Sequence, residues 1–251
     1  IMSNCPVVIM YIEKYQPELI PNLATIVSPA MATAKVVRKK YGADYKIVYI
    51  SPLIAHKSDN EKGEGDGKID SVLTFTELRS IFSESGIDEK QMEYSDFDPP
   101  HGYTGALFPI ASGIVHAAEL NDDLLDGNIT TVEGEKEMKE ALKEFQHDIQ
   151  KIKSHFNIFY AEYIMGPGTS RQGEKYVRQA NVKEYARKRI KNFDIEKWNG
   201  NIDEFSSLDF SRVFKNNDRR FPEPPEEKIR EIMGDLKKDC DAEYGCGMCG
   251  Y

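Results

Sequence analysis

Four short runs of β-branched and aromatic residues, Tyr45–Ile50, Ile69–Leu73, Ile129–Val132 and Asn157–Ala161, punctuate a chain whose intervening stretches carry helical spacing. Runs this short, alternating with helix-length segments, predict an α/β protein with its site on loops at strand ends. The helices are bounded by their own chemistry. Val7–Tyr15 stops ahead of Pro17. Ser28-Pro29 opens a helix to about Tyr41, with Pro at its first position, Lys and Arg in its last turn and Gly42 as C-cap. Thr74 to Glu77 spells a capping box, and the helix it starts is expected to run to about Ser85 and stop at Gly86. Small residues fill Pro109–Leu120, an amphipathic pattern covers Glu135–Gln150, and charged helices follow at Gly173–Lys191 and Glu226–Lys238. Ser58–Lys68, Tyr94–Gly105 and Gly166-Pro167-Gly168 read as loops, and Pro222–Pro225 as a rigid break. No internal repeat has a fixed period.

The 251 residues are 40% hydrophobic and 30% charged, enough for one large domain or two small lobes. A formal net charge of −9 argues against nucleic acid or an anionic membrane as partner, since both require a basic footprint. The one basic run, Arg187, Lys188, Arg189 and Lys191, reads as a solvated helix face. No apolar stretch approaches the roughly 20 residues that span a bilayer, and no leader is evident, so no membrane insertion and a cytoplasmic location are expected. Three of the four cysteines, Cys240, Cys246 and Cys249, crowd the C-terminal end, a layout better suited to metal than to a disulfide framework. Both ends read as cut, as in a segment of a longer protein.

Cys5-Pro6-Val7-Val8, Tyr11 to Tyr15, Pro21 and Ser28-Pro29 resemble the opening cluster-binding stretch of iron-only (di-iron) hydrogenase large subunits. The resemblance continues through Lys46–Ile50 leading to Ser51-Pro52, Asp70–Leu78, Ser95–Asp98, Leu107–Ile110 and Ile164–Gly168. It implies two α/β lobes with short mixed sheets flanked by helices, over residues 1–236. The nearest subgroup is the sensory type, often joined to ferredoxin-like and signalling modules. In that family four cysteine thiolates hold a 4Fe–4S cluster, one of them bridging to a di-iron subcluster, because such clusters require anionic sulfur ligands.

Residue by residue, the implied ligand set is degraded. Cys5 falls at the first ligand position, Leu53 at the second, and Tyr160 and Tyr163 at the last pair. Asn4 stands where efficient hydrogenases carry a proton-relaying cysteine, and His56 where a lysine commonly contacts the di-iron ligands. Leucine cannot coordinate iron, and a phenol with a pKa near 10 is a hard, protonated oxygen. The standard hydrogenase cluster is therefore not expected. Cys5 reads first as a buried thiol and second as a metal ligand; His56 reads first as a hydrogen-bonded side chain. Tyr160 and Tyr163 are expected to fill vacated volume, and neighbouring Glu162 to be exposed. Asp96 and Asp98 are expected to cap turns.

Cys246-Gly247-Met248-Cys249 resembles the start of a following 4Fe–4S module in residues 237–251, in which two further cysteines would lie beyond Tyr251. The sequence thus leaves three readings: a hydrogenase-like domain without hydrogenase activity in a redox-sensing or signalling protein, an oxidoreductase with a non-standard cluster anchored by Cys5, or a structural and interaction domain.

Overall fold

A computed structural model describes residues 1–61, 67–120, 128–148, 154–169, 173–220 and 225–235. Two compact units divide the chain, Ile1–Asn217 and Asp218–Tyr251. The expected boundary at residues 236 and 237, together with Cys240, Cys246 and Cys249, lies outside the described residues.

Among the described residues, the first unit contains two small sheets. In one, β1 (Val48–Ser51) pairs with β2 (Ser71–Thr74); in the other, β3 (Ile129–Glu133) pairs with β4 (His155–Phe159). Both ladders are parallel, so the expected mixed sheets are corrected to parallel ones. The reason is connectivity: each pair is joined through a crossover that carries a helix, which parallel strands require. Between β1 and β2 lies α3 (Ala55–Glu61), and between β3 and β4 lies α6 (Glu135–Asp148).

The larger core belongs to the β3–β4 lobe. There α1 (Pro6–Tyr15) supplies Val8, Ile9 and Ile12, α6 supplies Met138, Leu142 and Phe145, and β4 supplies Phe156, Ile158 and Phe159. The β1–β2 lobe has a small core of Ala34, Ile69 and Val72, with Ala34 carried on α2 (Pro29–Tyr41). Ser28 caps α2, and Gly42 ends it at a φ of +103°, a value that favours glycine.

Helix α4 (Phe75–Glu84) opens with the capping box read from the sequence. Thr74 Oγ1 accepts from Glu77 N at 3.2 Å, and Glu77 Oε2 accepts from Thr74 N at 2.7 Å. The same carboxylate group holds Lys57 of α3 at 2.6 Å. We expect Thr74→Ala to lower the unfolding free energy by about 1 kcal/mol in urea titration, with α4 fraying first by hydrogen exchange.

Three local expectations change. The loop expected from Ser58 begins as the end of α3, whose inward face carries polar His56 and Asp59, both buried, so hydropathy could not reveal it. The helix expected over Pro109–Leu120 shrinks to α5 (Gly113–Ala117), preceded by a 3-10 turn at Tyr103–Leu107; Glu119 adopts a φ of +53° just beyond its end. Past α7 (Lys175–Lys191), an unanticipated α8 (Ile195–Phe205) brings Trp198 near Tyr103 and Phe193, the latter two rings stacked at 3.9 Å. The second unit contains α9 (Glu226–Asp235).

Candidate functional site

Cys5 is the N-cap residue of α1 and is 1% exposed, packed into the apolar core with Val8, Ile9 and Phe159. Burial raises its thiol pKa, and hydrogen bonding with the backbone at Tyr160, Val8 and Val7 only partly offsets that rise. This position favours the neutral thiol, not the thiolate that iron binding needs.

The segment after β1 builds the opposite side. Ser51 ends the strand fully buried, and its Oγ accepts from Leu53 N at 3.0 Å while lying 2.6 Å from His56 Nδ1. Burial raises the pKa of the neighbouring Tyr49, and Ser51 partly offsets that rise. His56 sits edge-on between Tyr49 and Tyr163, with ring centroids 5.1 and 5.5 Å away. Burial drives the His56 pKa down to about 4, although Asp59 pulls in the other direction. The imidazole is therefore neutral at pH 7.

That depression has a stability consequence with a definite sign. Between an unfolded pKa near 6.5 and a folded value of about 4, the unfolded chain binds the extra proton. Stability from this group is complete above pH 6.5 and is lost as pH falls toward 4, by about 3 kcal/mol in all. His56→Gln is expected to flatten this part of the profile, measured as urea midpoints from pH 4 to 7.

Leu53 is buried, and the Gly166-Pro167-Gly168 loop closes on it. A Cβ on Gly166 would stand 2.4 Å from the Pro52 carbonyl oxygen and 2.9 Å from Leu53 Cδ2. Gly168 N donates back to Pro52 O at 2.8 Å. The glycines are thus required for close approach, as a tight turn rather than a phosphate cradle.

Tyr163 fills space at this junction, half-buried against the main core, and its hydroxyl donates to the Asn4 carbonyl at 2.7 Å. Burial holds its pKa well above the ordinary phenol value. Tyr160 does not act as expected: it is 37% exposed and donates to Glu135 at 2.8 Å, because the end of β4 turns its side chain outward. Phe159 takes the inward place. Glu162 is also corrected, being 2% exposed rather than solvated; its Oε1 accepts from Gln179 at 2.6 Å and from Ala111 N at 3.4 Å. Asp96 accepts from Phe97 N and forms a bidentate pair with Arg189, which draws that arginine out of the expected solvated face.

Asn4, His56 and Tyr163 meet on the wall of one cavity of about 390 Å³ between α2, β1, the 109–114 turn and the Tyr163–Met165 turn. Cys5 and Leu53 do not line it. Among the described residues, no group of three or more His, Cys, Asp or Glu side chains is placed to hold a metal ion. The donor set therefore does not fit the four-thiolate cluster that the resemblance implies: the corresponding positions hold one protonated thiol, a buried aliphatic side chain, an exposed phenol and a phenol already donating elsewhere.

Sequence reasoning missed Ser51, Tyr49, Asp59 and Phe159. Ser51-Pro52 at a strand end was the available signal for the first; the polar i, i+3 pair His56 and Asp59 was the signal for a buried helix face.

The chain is 29% identical over 181 residues to iron hydrogenase 1 of Clostridium pasteurianum, covering 62% of this chain and 32% of that protein. It is 33% identical over 131 residues to the periplasmic [Fe] hydrogenase large subunit of Nitratidesulfovibrio vulgaris, covering 46% and 31%. It is 30% identical over 88 residues to the cytosolic Fe-S cluster assembly factor NAR1 of Kluyveromyces lactis, covering 35% and 19%. The chain spans about a third or less of the length of these relatives. Its fold matches a variant of [FeFe]-hydrogenase HydA1 from Chlamydomonas reinhardtii with a TM-score of 0.56 at 19% identity, over 84% of this chain and 72% of the other. A family model for the C-terminal domain of the iron only hydrogenase large subunit matches residues 1–166, and the chain belongs to that family.

Proposed function

We propose that this chain is a hydrogenase-like domain that has kept the family scaffold without its hydrogen chemistry, and serves as an interaction platform in a redox-sensing or signalling protein of the sensory type. The observation that carries this reading is the position of Cys5: the surviving ligand-type thiol is buried in the apolar core and does not line the cavity that Asn4, His56 and Tyr163 share. Scaffold contacts persist while donor chemistry is lost, and fold alone does not carry function. The likeness to a protein named as an Fe-S cluster assembly factor supports a role other than hydrogenase for this scaffold.

Redox input would come through a 4Fe–4S cluster held in part by Cys246 and Cys249, with ferredoxin-like or signalling domains as partners and the cytoplasm as location. Among the described residues no helix is long and apolar enough to cross a membrane. The reading with a non-standard cluster anchored by Cys5 and His56 is disfavoured, because those side chains do not line a common cavity. The test is hydrogen evolution from reduced methyl viologen, and hydrogen uptake, after anaerobic reconstitution and maturation of the chain. Gas exchange at the level of a protein-free control is expected. Turnover that disappears on Cys5→Ala would overturn the proposal.

A further inference from the structure

Seven of the seventeen residues of α7 are Lys or Arg and one, Glu184, is acidic, a net of +6 on a chain whose total is −9. Four of these cations are committed within the chain. Lys175 donates to Glu133 at 2.6 Å, Arg178 to Thr169 Oγ1 at 3.1 Å, Lys188 to Glu184 at 2.8 Å and Arg189 to Asp96 at 2.7 Å. Lys183, Arg187 and Lys191 are exposed and have no hydrogen-bond or ion-pair partner among the described residues. They recur every fourth residue and so follow one another along a single face, spanning about 12 Å. Tyr176, 77% exposed, lies two turns before Lys183 on the same face. The helix dipole favours cations in the last turn only, which accounts for Lys191 but not for Lys183 two turns before it. Like charges four residues apart repel, so the face is strained electrostatically until an anion is set against it. The helix also lies beyond residues 1–166, the part that the family model matches.

We propose that this face of α7 docks an acidic protein segment whose carboxylates recur at the same spacing, as on one side of an acidic helix. The inference rests on the reading of the domain as an interaction platform, and it gives that platform a face and a partner chemistry. Charge complementarity selects the partner: three unpaired cations in a row attract carboxylates, and the Tyr176 hydroxyl adds a donor at the N-terminal end of the row. Length decides against a phosphate backbone or a lipid surface. Acids stand at both ends of the helix, Glu174 as its N-cap residue and Asp194 and Glu196 just past Asn192. A nucleic-acid duplex or an anionic bilayer extends well beyond a row of about 12 Å and would meet those acids, along with the remaining negative charge of the chain. A short row of carboxylates would not. Exposed ion pairs are individually weak and screened by salt, so the association is reversible and salt-sensitive.

The probe is a capped peptide of Ala and Glu, held helical by a hydrocarbon staple, with glutamates at every fourth position on the side away from the staple. It is titrated into the isotope-labelled full chain and followed by amide NMR. A second stapled peptide of the same composition spreads its glutamates around the helix. Saturable shifts centred on residues 175–191 are expected for the first peptide, with affinity about tenfold weaker at about 0.5 M than at about 0.05 M NaCl, the scale of three exposed ion pairs. The triple variant Lys183→Gln, Arg187→Gln, Lys191→Gln is expected to lose about tenfold in affinity with unchanged circular dichroism. Lys39→Gln, Lys90→Gln, Lys136→Gln, which changes the net charge equally at other exposed positions, is expected to retain it. The inference is overturned by absence of saturable shifts, by shifts centred elsewhere, by equal binding of the two peptides, by equal loss in the two triple variants, or by tighter binding of a short DNA duplex or of phosphatidylserine vesicles. Hydrogen turnover by the chain would instead overturn the proposed function and leave these shifts in place, a distinguishable result.

Discussion

Asp59→Ala is expected to lower the unfolding free energy by about 3–5 kcal/mol, the range for breaking a buried ion pair by removing one partner. Asp59 lies on α3 at 3% exposure, and its Oδ1 accepts from Arg212 Nη2 at 2.7 Å. The Arg212 side chain is 9% exposed, with its guanidinium 5.0 Å from the Phe214 ring centroid. Its Nη1 is already without a partner, so losing the carboxylate would strand most of a buried charge. The surrounding strap is tied down by Arg212 N donating to Thr25 O at 3.1 Å and by the antiparallel bridge between Ile26 and Ser211. Loss of the pair should therefore release the strap as well as destabilise the whole. Urea unfolding measures the first effect and hydrogen exchange at Val27 and Arg212 the second. The double variant Asp59→Leu with Arg212→Met is expected to recover most of the loss, because an apolar pair of similar volume leaves no charge to desolvate. A single-variant loss below about 1 kcal/mol would mean that the pair is solvated.

Gly113→Ala is the second large effect. A Cβ there would stand 1.8 Å from the Leu107 carbonyl oxygen and 2.5 Å from its carbon, both backbone atoms that no rotamer change can move aside. The Leu107–Ile110 turn must shift, at a cost of about 3 kcal/mol, the upper end of overpacking in a tight interior. Phe108, Pro109 and Ile114 on this turn and helix line the Asn4 cavity, so the same substitution should deform it. We expect a lower unfolding midpoint, measured by urea titration. Unchanged stability would contradict the close approach of α5 to the turn before it.

Much of the scaffold is legible in the sequence because its determinants are local. The Thr74–Glu77 box, the Ser28-Pro29 start and the Gly42 stop satisfy or end backbone hydrogen bonding within a few residues, and each sits where its chemistry places it. The first two strands begin two or three residues after their expected starts, since a four-residue strand is set by its partner as much as by its own side chains. Helix α3 is hidden because what it buries is polar: Asp59 is inside only because Arg212, 153 residues away, is there to meet it. Tyr160 and Glu162 exchange their expected environments for a related reason. A turn after β4 sends Tyr160 toward Glu135 and brings Glu162 under Gln179 of α7, contacts that spacing along the chain cannot announce.

Within the site, Asn4, His56 and Tyr163 do converge, whereas Cys5 and Leu53 lie off the cavity wall and Tyr160 at the surface. The convergence yields a neutral imidazole, a committed phenol and an orphaned amide around apolar walls, where the family resemblance implied thiolates. The departure from the four-thiolate set is therefore a property of named side chains, while the backbone around the site is held by Gly166, Gly168 and Gly113 at their close approaches.

The most direct test is the iron and acid-labile sulfide content of the full chain carrying Cys240→Ser, Cys246→Ser and Cys249→Ser, after anaerobic reconstitution and desalting. The account predicts no iron bound in stoichiometric amount, because Cys5 alone, buried and protonated, cannot hold a cluster. Stable iron with matching sulfide, lost on adding Cys5→Ala, would contradict it and establish a remodelled cluster at the old site.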